Sequence, residues 1–142
     1  MSESDMRRRV VKLLKPIGAF PVENPCLPGT PDINHWYGWI ELKWVRSWPK
    51  RKNTIIRLTD FTLKQKRFLR NRWQGNQDAY LLVQINRTEW FLFKGNTVDP
   101  LGQNFNRKEF CNHAFQHWTS TVDMESELIK CLQPKNGHYV KD

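Results

Sequence analysis

Two short apolar segments, AYLLVQI and EWFLF, stand on either side of the polar tripeptide NRT. Apolar segments of this length bounded by turn residues are typical of β-strands, and so short a connection predicts an antiparallel hairpin. A sheet is stable only when its apolar faces pack against another layer of the fold. The hairpin therefore predicts a sheet that the rest of the chain must cover.

Helical patterns precede and follow this hairpin. Near the start of the chain, apolar residues recur at helical spacing from Met6 to Ile17, and Ser2 with Asp5 or Ser4 can cap the first turn. A second helix is predicted from Asp60 or Thr62 to a stop at Gly75. Capping residues and apolar spacing predict two more helices, at 106–118 and 120–133.

The order of these elements predicts a mixed α/β fold with a central sheet flanked by helices. Three more strands are predicted in the first half of the chain, at 19–24, 32–37 and 39–45. A chain of 142 residues has the usual length of one domain. We expect a single domain over 1–142, with a core at about 1–94 and a helical extension at about 105–133.

The charge balance and the cysteine spacing limit the classes of function. Twenty-three Lys and Arg against fourteen Asp and Glu give a net charge of +9, which favours a polyanion as partner. The three cysteines form no CxxC pair, so neither a disulfide framework nor a thiolate zinc site is predicted. Without an apolar run of roughly 20 residues or a signal-peptide pattern, the chain is predicted to be cytoplasmic and free of membrane spans.

Ionisable residues punctuate the strand-forming segment PDINHWYGWIELK. Side chains alternate across a strand, so Glu41 and Lys43 share one face, and a tight turn at Gly38 would bring Asp32 beside them. Two carboxylates a few ångströms apart repel each other unless a cation lies between them, and their oxygens suit Mg²⁺ or Mn²⁺. Such an ion beside a lysine suits phosphodiester hydrolysis. The simpler interpretation is an exposed Glu41–Lys43 ion pair, with Asp32 as an ordinary strand start.

The stretch GTPDINHWYGWIELK resembles the signature of the PD-(D/E)XK nucleases, with Pro31 and Asp32 as its first part and Glu41, Leu42 and Lys43 as its second. Within that superfamily the chain looks most like the VRR-NUC nucleases and the Holliday-junction resolvases. The resemblance implies a restriction-endonuclease-like fold and Mg²⁺ as cofactor, with Mn²⁺ as a substitute. It also implies that Asp32, Glu41 and the Leu42 carbonyl bind the metal and that Lys43 is the catalytic lysine.

The resemblance matches Glu3 to an acid on the first helix that could join the metal ligands. Glu3 lies three and seven residues before Met6 and Val10, so it extends the buried stripe of that helix. It could equally be an ordinary first-turn acid that favours the helix dipole, or belong to a disordered terminus. Glu23 is the rival candidate for a third acid.

Gln65 resembles the helix glutamine that follows the ExK strand in these nucleases, which implies a catalytic role. It falls on the apolar stripe of the second helix, where a polar amide needs a partner. That partner could be the active-site lysine, a water on the metal or a backbone carbonyl. The stripe consists of Phe61, Phe68, Leu69 and Trp73.

Basic and aromatic residues alternate in KWVRSWPKRKNTIIR, which suits phosphate contacts with an aromatic ring stacking or wedging. The predicted DNA-binding residues are Arg46, Trp48, Lys50, Arg51, Lys52 and Lys66. The blander interpretation places Trp48 under its own loop and leaves the cations as solvated surface charges.

The residues favour a Mg²⁺-dependent DNA endonuclease, and the resemblance implies that it acts on branched DNA as a junction resolvase. A single small domain carries one active site, so symmetric cutting of two strands calls for a homodimer. A site-specific duplex endonuclease of homing or restriction type is the first alternative. A DNA-binding protein that keeps the fold without catalysis is the second.

Overall fold

The computed structural model describes residues 2–58 and 60–134. Six strands form one sheet, and their order across the sheet is their order along the chain. The strands are β1 Phe20–Pro21, β2 Ile33–His35, β3 Gly38–Val45, β4 Asp78–Ile85, β5 Glu89–Lys94 and β6 Gln116–Trp118. β3 and β4 run parallel, and the other neighbouring pairs are antiparallel. The sheet is therefore mixed, and the predicted α/β fold class is confirmed.

Four helices flank the sheet: α1 Glu3–Leu13, α2 Leu63–Gln74, α3 Arg107–His113 and α4 Thr121–Leu132. The helix starts follow the predicted caps, because the side chains of Ser2, Thr62, Asn106 and Ser120 each accept a hydrogen bond from the backbone amide three residues on. None of the described helices is long and apolar enough to cross a membrane.

The two faces of the sheet carry separate apolar cores. Tyr80 and Leu82 of β4 pack on the side of α1 and α4, whereas Leu81 and Val83 pack on the side of α2 and α3. Side chains alternate across a strand, so a strand between two helical layers must be apolar on both faces. Every residue of β4 is buried, which explains the continuous apolar run in its sequence.

The predicted helix at 106–118 is wrong beyond His113. Gln116–Trp118 instead forms β6, which pairs Trp118 with Trp90 and His117 with Phe91 of β5. The His117 ring stacks on Phe91 with 4.2 Å between the ring centroids. These contacts cover the backbone edge of β5, and a helix at the same place would leave that edge unpaired.

Gly38 does not form the turn between β2 and β3 but begins β3, directly beside β4. Its φ is +158°, and a Cβ atom built there would lie 1.7 Å from the carbonyl oxygen of Asp78. The close approach of the two parallel strands therefore requires glycine at this position. This contact fixes where β3 begins and so positions the ionisable side chains farther along the strand.

Candidate active site

Asp32 immediately precedes β2 and lies beside the middle of β3. The β2–β3 register ends at the pair Ile33 and Ile40, so Asp32 stands where the strands begin to separate. Its Oδ2 accepts a hydrogen bond of 2.9 Å from the backbone N–H of Leu42. The N–H and C=O of one strand residue point to the same edge, so the Leu42 carbonyl also points towards the Asp32 side.

Glu41 and Lys43 share one face of β3, as their spacing predicts, but they are buried rather than exposed. Glu41 is 2% and Lys43 is 6% exposed, and 3.3 Å separates Glu41 Oε2 from Lys43 Nζ. Lys43 Nζ also donates a hydrogen bond of 2.9 Å to the backbone carbonyl of Asp60. The structure thus contradicts the simpler interpretation of this pair as a solvated surface feature.

The second carboxylate oxygen of Glu41, Oε1, is buried and has no hydrogen-bond partner within the described part of the chain. Burial, together with the carboxylates of Asp32 and Glu3, raises the pKa of Glu41 to about 8, although the Lys43 ammonium opposes that rise. The pKa of Glu41 is raised although the Lys43 ammonium lies 3.3 Å away, so this one ammonium does not offset burial and the neighbouring carboxylates. A further cation at the site would lower the pKa of Glu41.

Glu3, the first residue of α1, lies at the same site. Burial raises the pKa of Glu3, the Lys43 ammonium lowers it, and the carboxylates of Asp32 and Asp60 raise it further. The rival acid, Glu23, is exposed and lies 3.8 Å from Arg7. The structure therefore brings Glu3, and not Glu23, to the carboxylates.

A cleft of about 190 Å³ opens beside Glu3 and Lys43. It is lined by Glu3, Lys43, Trp44, Val45, Arg46, Arg57, Leu58 and Asp60. Sequence reasoning missed Arg57 and Asp60, which reach the cleft through the course of the connection between β3 and α2. The sequence signal for Asp60 is an acid two residues before the Thr62 cap of α2, which by itself predicts only capping.

Gln65 does not contact Lys43 in the structure. Its Oε1 accepts a hydrogen bond of 2.9 Å from the backbone N–H of Thr62, and the Thr62 side chain accepts one from the Gln65 N–H. Gln65 therefore completes a reciprocal cap at the start of α2. The polar amide in the apolar stripe thus has a backbone N–H as its partner, and not the backbone carbonyl, lysine or metal-bound water that the sequence suggests.

Lys66 is 2% exposed and donates a hydrogen bond of 2.9 Å to the carbonyl of Asp99. The prediction that it faces a phosphate or solvent is wrong, because the side chain is buried and its ammonium donates to a backbone carbonyl in the interior. Burial lowers the pKa of Lys66, and the Asp99 carboxylate opposes that shift.

Trp48 packs against β5 and α3. Its Nε1 donates a hydrogen bond of 2.7 Å to Glu89, and its ring meets Phe91 and Phe110 edge to face. The Arg107 guanidinium covers its outer side, 4.4 Å from the ring centroid. The structure thus contradicts a stacking or wedging role for Trp48. The predicted phosphate-contacting cations around it, Arg46, Lys50, Arg51 and Lys52, are exposed.

The donor set at the site fits a hydrated divalent cation. In residues 2–58 and 60–134, no cluster of three or more His, Cys, Asp or Glu side chains stands in metal-binding geometry. Mg²⁺, however, commonly uses one or two protein carboxylates and completes its shell with water and substrate oxygens. Asp32, the Leu42 carbonyl and the unpartnered Oε1 of Glu41 offer this kind of set, with Glu3 close by.

The fold is similar to that of the Holliday junction resolvase Hjc of the archaeal hyperthermophile Archaeoglobus fulgidus. The TM-score is 0.53 at 17% sequence identity, and the alignment covers 86% of this chain and 98% of the resolvase. No family model matches the sequence. No curated protein sequence matches it either.

Proposed function

We propose that the protein is a divalent-cation-dependent DNA endonuclease that hydrolyses phosphodiester bonds in branched DNA. The observation that carries this proposal is the buried Glu41 carboxylate, which has one unpartnered oxygen and lies beside Lys43, itself a lining residue of an open cleft. The resemblance of the Asp32-to-Lys43 segment to the PD-(D/E)XK signature supports it independently. So does the likeness of the fold to a junction resolvase.

The residues of the site divide the chemistry among them. Asp32, Glu41 and the Leu42 carbonyl would hold Mg²⁺, or Mn²⁺ in its place, with Glu3 as a further acid. The ion would lower the pKa of a bound water and offset charge on the phosphate oxygens. Lys43, fixed by Glu41 and the Asp60 carbonyl, would present its ammonium to the attacking water and to the charge that develops on the phosphate.

The reaction itself is a hydrolysis in which the bond changes balance. The water oxygen forms a bond to phosphorus, and the bond from phosphorus to the leaving oxygen breaks. The proton lost by the water passes to solvent, and the leaving oxygen takes up a proton, which leaves one hydroxyl end and one phosphate end. A protein that does this at both sides of a junction would work as a homodimer, in DNA recombination or repair.

A cleavage panel tests the proposal. Purified protein is incubated with Mn²⁺ or with EDTA on four-way, flap, single-stranded and linear duplex DNA of scrambled sequence. We expect paired nicks at the four-way junction with Mn²⁺ and none with EDTA. The matched variant Asp32→Asn should bind the junction without cutting it. Tight binding of the wild-type protein to junctions without any nick, in either Mg²⁺ or Mn²⁺, would disprove the proposal.

A further inference from the structure

Two basic segments of the chain, α1 and the connection between β3 and α2, differ in whether their arginines already have carboxylate partners. On α1, Arg7, Arg8 and Arg9 each lie within 4 Å of a carboxylate oxygen. Their partners are Glu23, Asp5 and Glu125. A phosphate that binds there must compete with these carboxylates. The arginines of α1 are therefore poorly suited to be the main contacts to a polyanion.

The connection between β3 and α2 behaves differently. Arg46 and Arg57 both line the active-site cleft, and neither has a carboxylate oxygen within 4 Å in the part of the chain that the structure describes. Exposed guanidinium groups beside a cleft offer a planar set of donors that matches phosphate oxygens. These two side chains are therefore available to a phosphate at the mouth of the cleft.

Arg57 is held in place by its neighbours in the chain. Ile56 and Leu58, on either side of it, are buried in the core beneath α2 and α3, and Arg57 itself is exposed. The backbone N–H of Ile56 donates a hydrogen bond of 2.8 Å to the carbonyl of Phe105. Anchoring on both sides directs the Arg57 side chain outward and reduces the entropy lost when it binds a ligand.

A second groove, of about 340 Å³, adjoins the cleft and shares Arg57 and Leu58 with it. Its other lining residues are Phe61, Leu101, Gly102 and Gln103. Its volume lies at the lower end of the range for small-ligand pockets, roughly 300–1,000 Å³. Because Arg57 stands at the boundary, a strand that leaves the cleft on this side must pass its guanidinium and enter a groove with an apolar floor and one amide.

We propose that Arg57 binds the phosphate next to the one that is cut, and that this groove receives the nucleoside between or beyond those phosphates. The inference deepens the proposed function and rests on it for the position of the cut. The unpaired guanidinium supplies the charge, the buried neighbours supply the rigidity, and the groove supplies the space. Arg57 is thus a positioning residue that fixes the path of the strand through the site.

Neutral-phosphate scanning of the junction strand tests this inference. Single methylphosphonates replace each phosphate within a few positions of the cut, and kcat/KM is measured for wild type, Arg57→Gln and Arg67→Gln. Arg67 is exposed on α2 and lines neither cleft nor groove, so it controls for the loss of one positive charge. At one phosphate beside the cut, wild type and Arg67→Gln should lose about 10- to 100-fold, the cost of one charged hydrogen bond. Arg57→Gln should lose less than about 3-fold at that position.

The same set of strands is measured by fluorescence anisotropy without divalent ions, so that binding is read apart from cleavage. Arg57→Gln should again be insensitive to the neutral phosphate that weakens wild-type binding. Removal of the base adjoining that phosphate should weaken wild-type binding more than removal of a base several positions away. If wild type cuts junctions while Arg57→Gln shows the wild-type penalty at every position, the inference is wrong and the nuclease assignment stands. If wild type cuts no DNA, the proposed function fails, and the anisotropy scan alone decides whether Arg57 reads a phosphate.

Discussion

Two lysines are buried in closely similar surroundings within residues 2–58 and 60–134, and only one of them lies at the candidate site. Lys43 and Lys66 are 6% and 2% exposed, and each donates a hydrogen bond of 2.9 Å to a backbone carbonyl, of Asp60 and Asp99 respectively. Both ammonium groups lie near the same aromatic ring, with Nζ at 6.0 Å and 5.4 Å from the centroid of Phe61. Burial, a carbonyl anchor and a cation–π contact are therefore shared features.

The difference between the two lysines lies in their carboxylates and their access to solvent. Lys43 has Glu41 at 3.3 Å and lines a cleft, whereas the Asp99 carboxylate beside Lys66 is engaged by Arg70 at 2.8 Å. Lys66 holds the connection after β5 against α2, and Lys43 stands beside a carboxylate whose second oxygen has no partner in the described residues. A buried lysine points to chemistry only when a perturbed acid and an opening accompany it.

The strongest test of the difference between Lys43 and Lys66 is to replace each of them by methionine. Lys43→Met should lower the rate of junction cleavage on the order of 10³-fold, because it removes the only ammonium that the described structure places against Glu41. Lys66→Met should change that rate by less than about 3-fold, since Lys66 touches no part of the cleft. Rates are compared at saturating Mn²⁺, with anisotropy as the control for DNA binding. Similar losses in the two variants would remove the distinction.

The pH dependence of stability tests the raised pKa of Glu41, the acid that sets Lys43 apart from Lys66. Glu41 has a pKa of about 8 in the folded state, above its ordinary value of 4.5. The folded protein therefore binds the Glu41 proton more tightly than the unfolded chain does. The resulting contribution to stability is complete below about pH 4.5 and is lost as the pH rises through 8. In EDTA, the free energy of unfolding of wild type minus that of Glu41→Gln should fall over this range, by on the order of 5 kcal/mol. Urea titrations at half-unit pH steps measure it.

Taking the difference between the two proteins removes the contribution of His35. Burial lowers the pKa of His35 from 6.5 to about 4, so its effect has the opposite sign: stability is lost as the pH falls between those values. Parallel pH profiles for wild type and Glu41→Gln would show that Glu41 is already ionised in the folded protein.

Lys66→Met should have a moderate effect on stability. The carbonyl of Asp99 loses its donor, which costs about 1–3 kcal/mol, and the removal of a buried charge offsets part of that cost. We expect a net loss of about 1 kcal/mol in the free energy of unfolding, with the cleavage rate preserved. A loss of cleavage in a protein that unfolds normally would place Lys66 in the active site.

Gln65→Ala provides the smallest expected effect. Loss of the reciprocal cap at Thr62 should cost about 1 kcal/mol of stability, and cleavage should change by less than about 3-fold. Thermal melts and the junction assay measure the two quantities side by side. A fall in the cleavage rate of about 100-fold would restore the catalytic role that the resemblance implies.

Local rules predicted much of the fold and part of the site. Alternation along β3 placed Glu41 and Lys43 on one face, and capping residues located the starts of α1, α2 and α4. Both kinds of rule depend on neighbours within a few residues, which the sequence displays directly.

The features that escaped prediction depend on contacts between distant segments. Asp60 and Arg57 reach the cleft because the backbone N–H of Ile56 is hydrogen-bonded to the carbonyl of Phe105. Residues 116–118 form a strand because they pair with the edge of β5. The sequence predicts an exposed Lys66, but the ammonium is buried because it donates a hydrogen bond to the backbone carbonyl of Asp99, which lies far along the chain. No periodicity encodes such pairings, so the walls of the cleft could not be derived from the sequence.

The hairpin between positions 32 and 43 also has a consequence for the order of folding. Asp32, Glu41 and Lys43 all belong to it, and closing so short a loop costs little chain entropy and takes microseconds. The raised pKa of Glu41 requires α2 and β4 to cover the same strand, and the parallel β3–β4 pair forms only after a long crossover. A nascent chain can therefore hold these three groups close together while its carboxylates still titrate as they do in water.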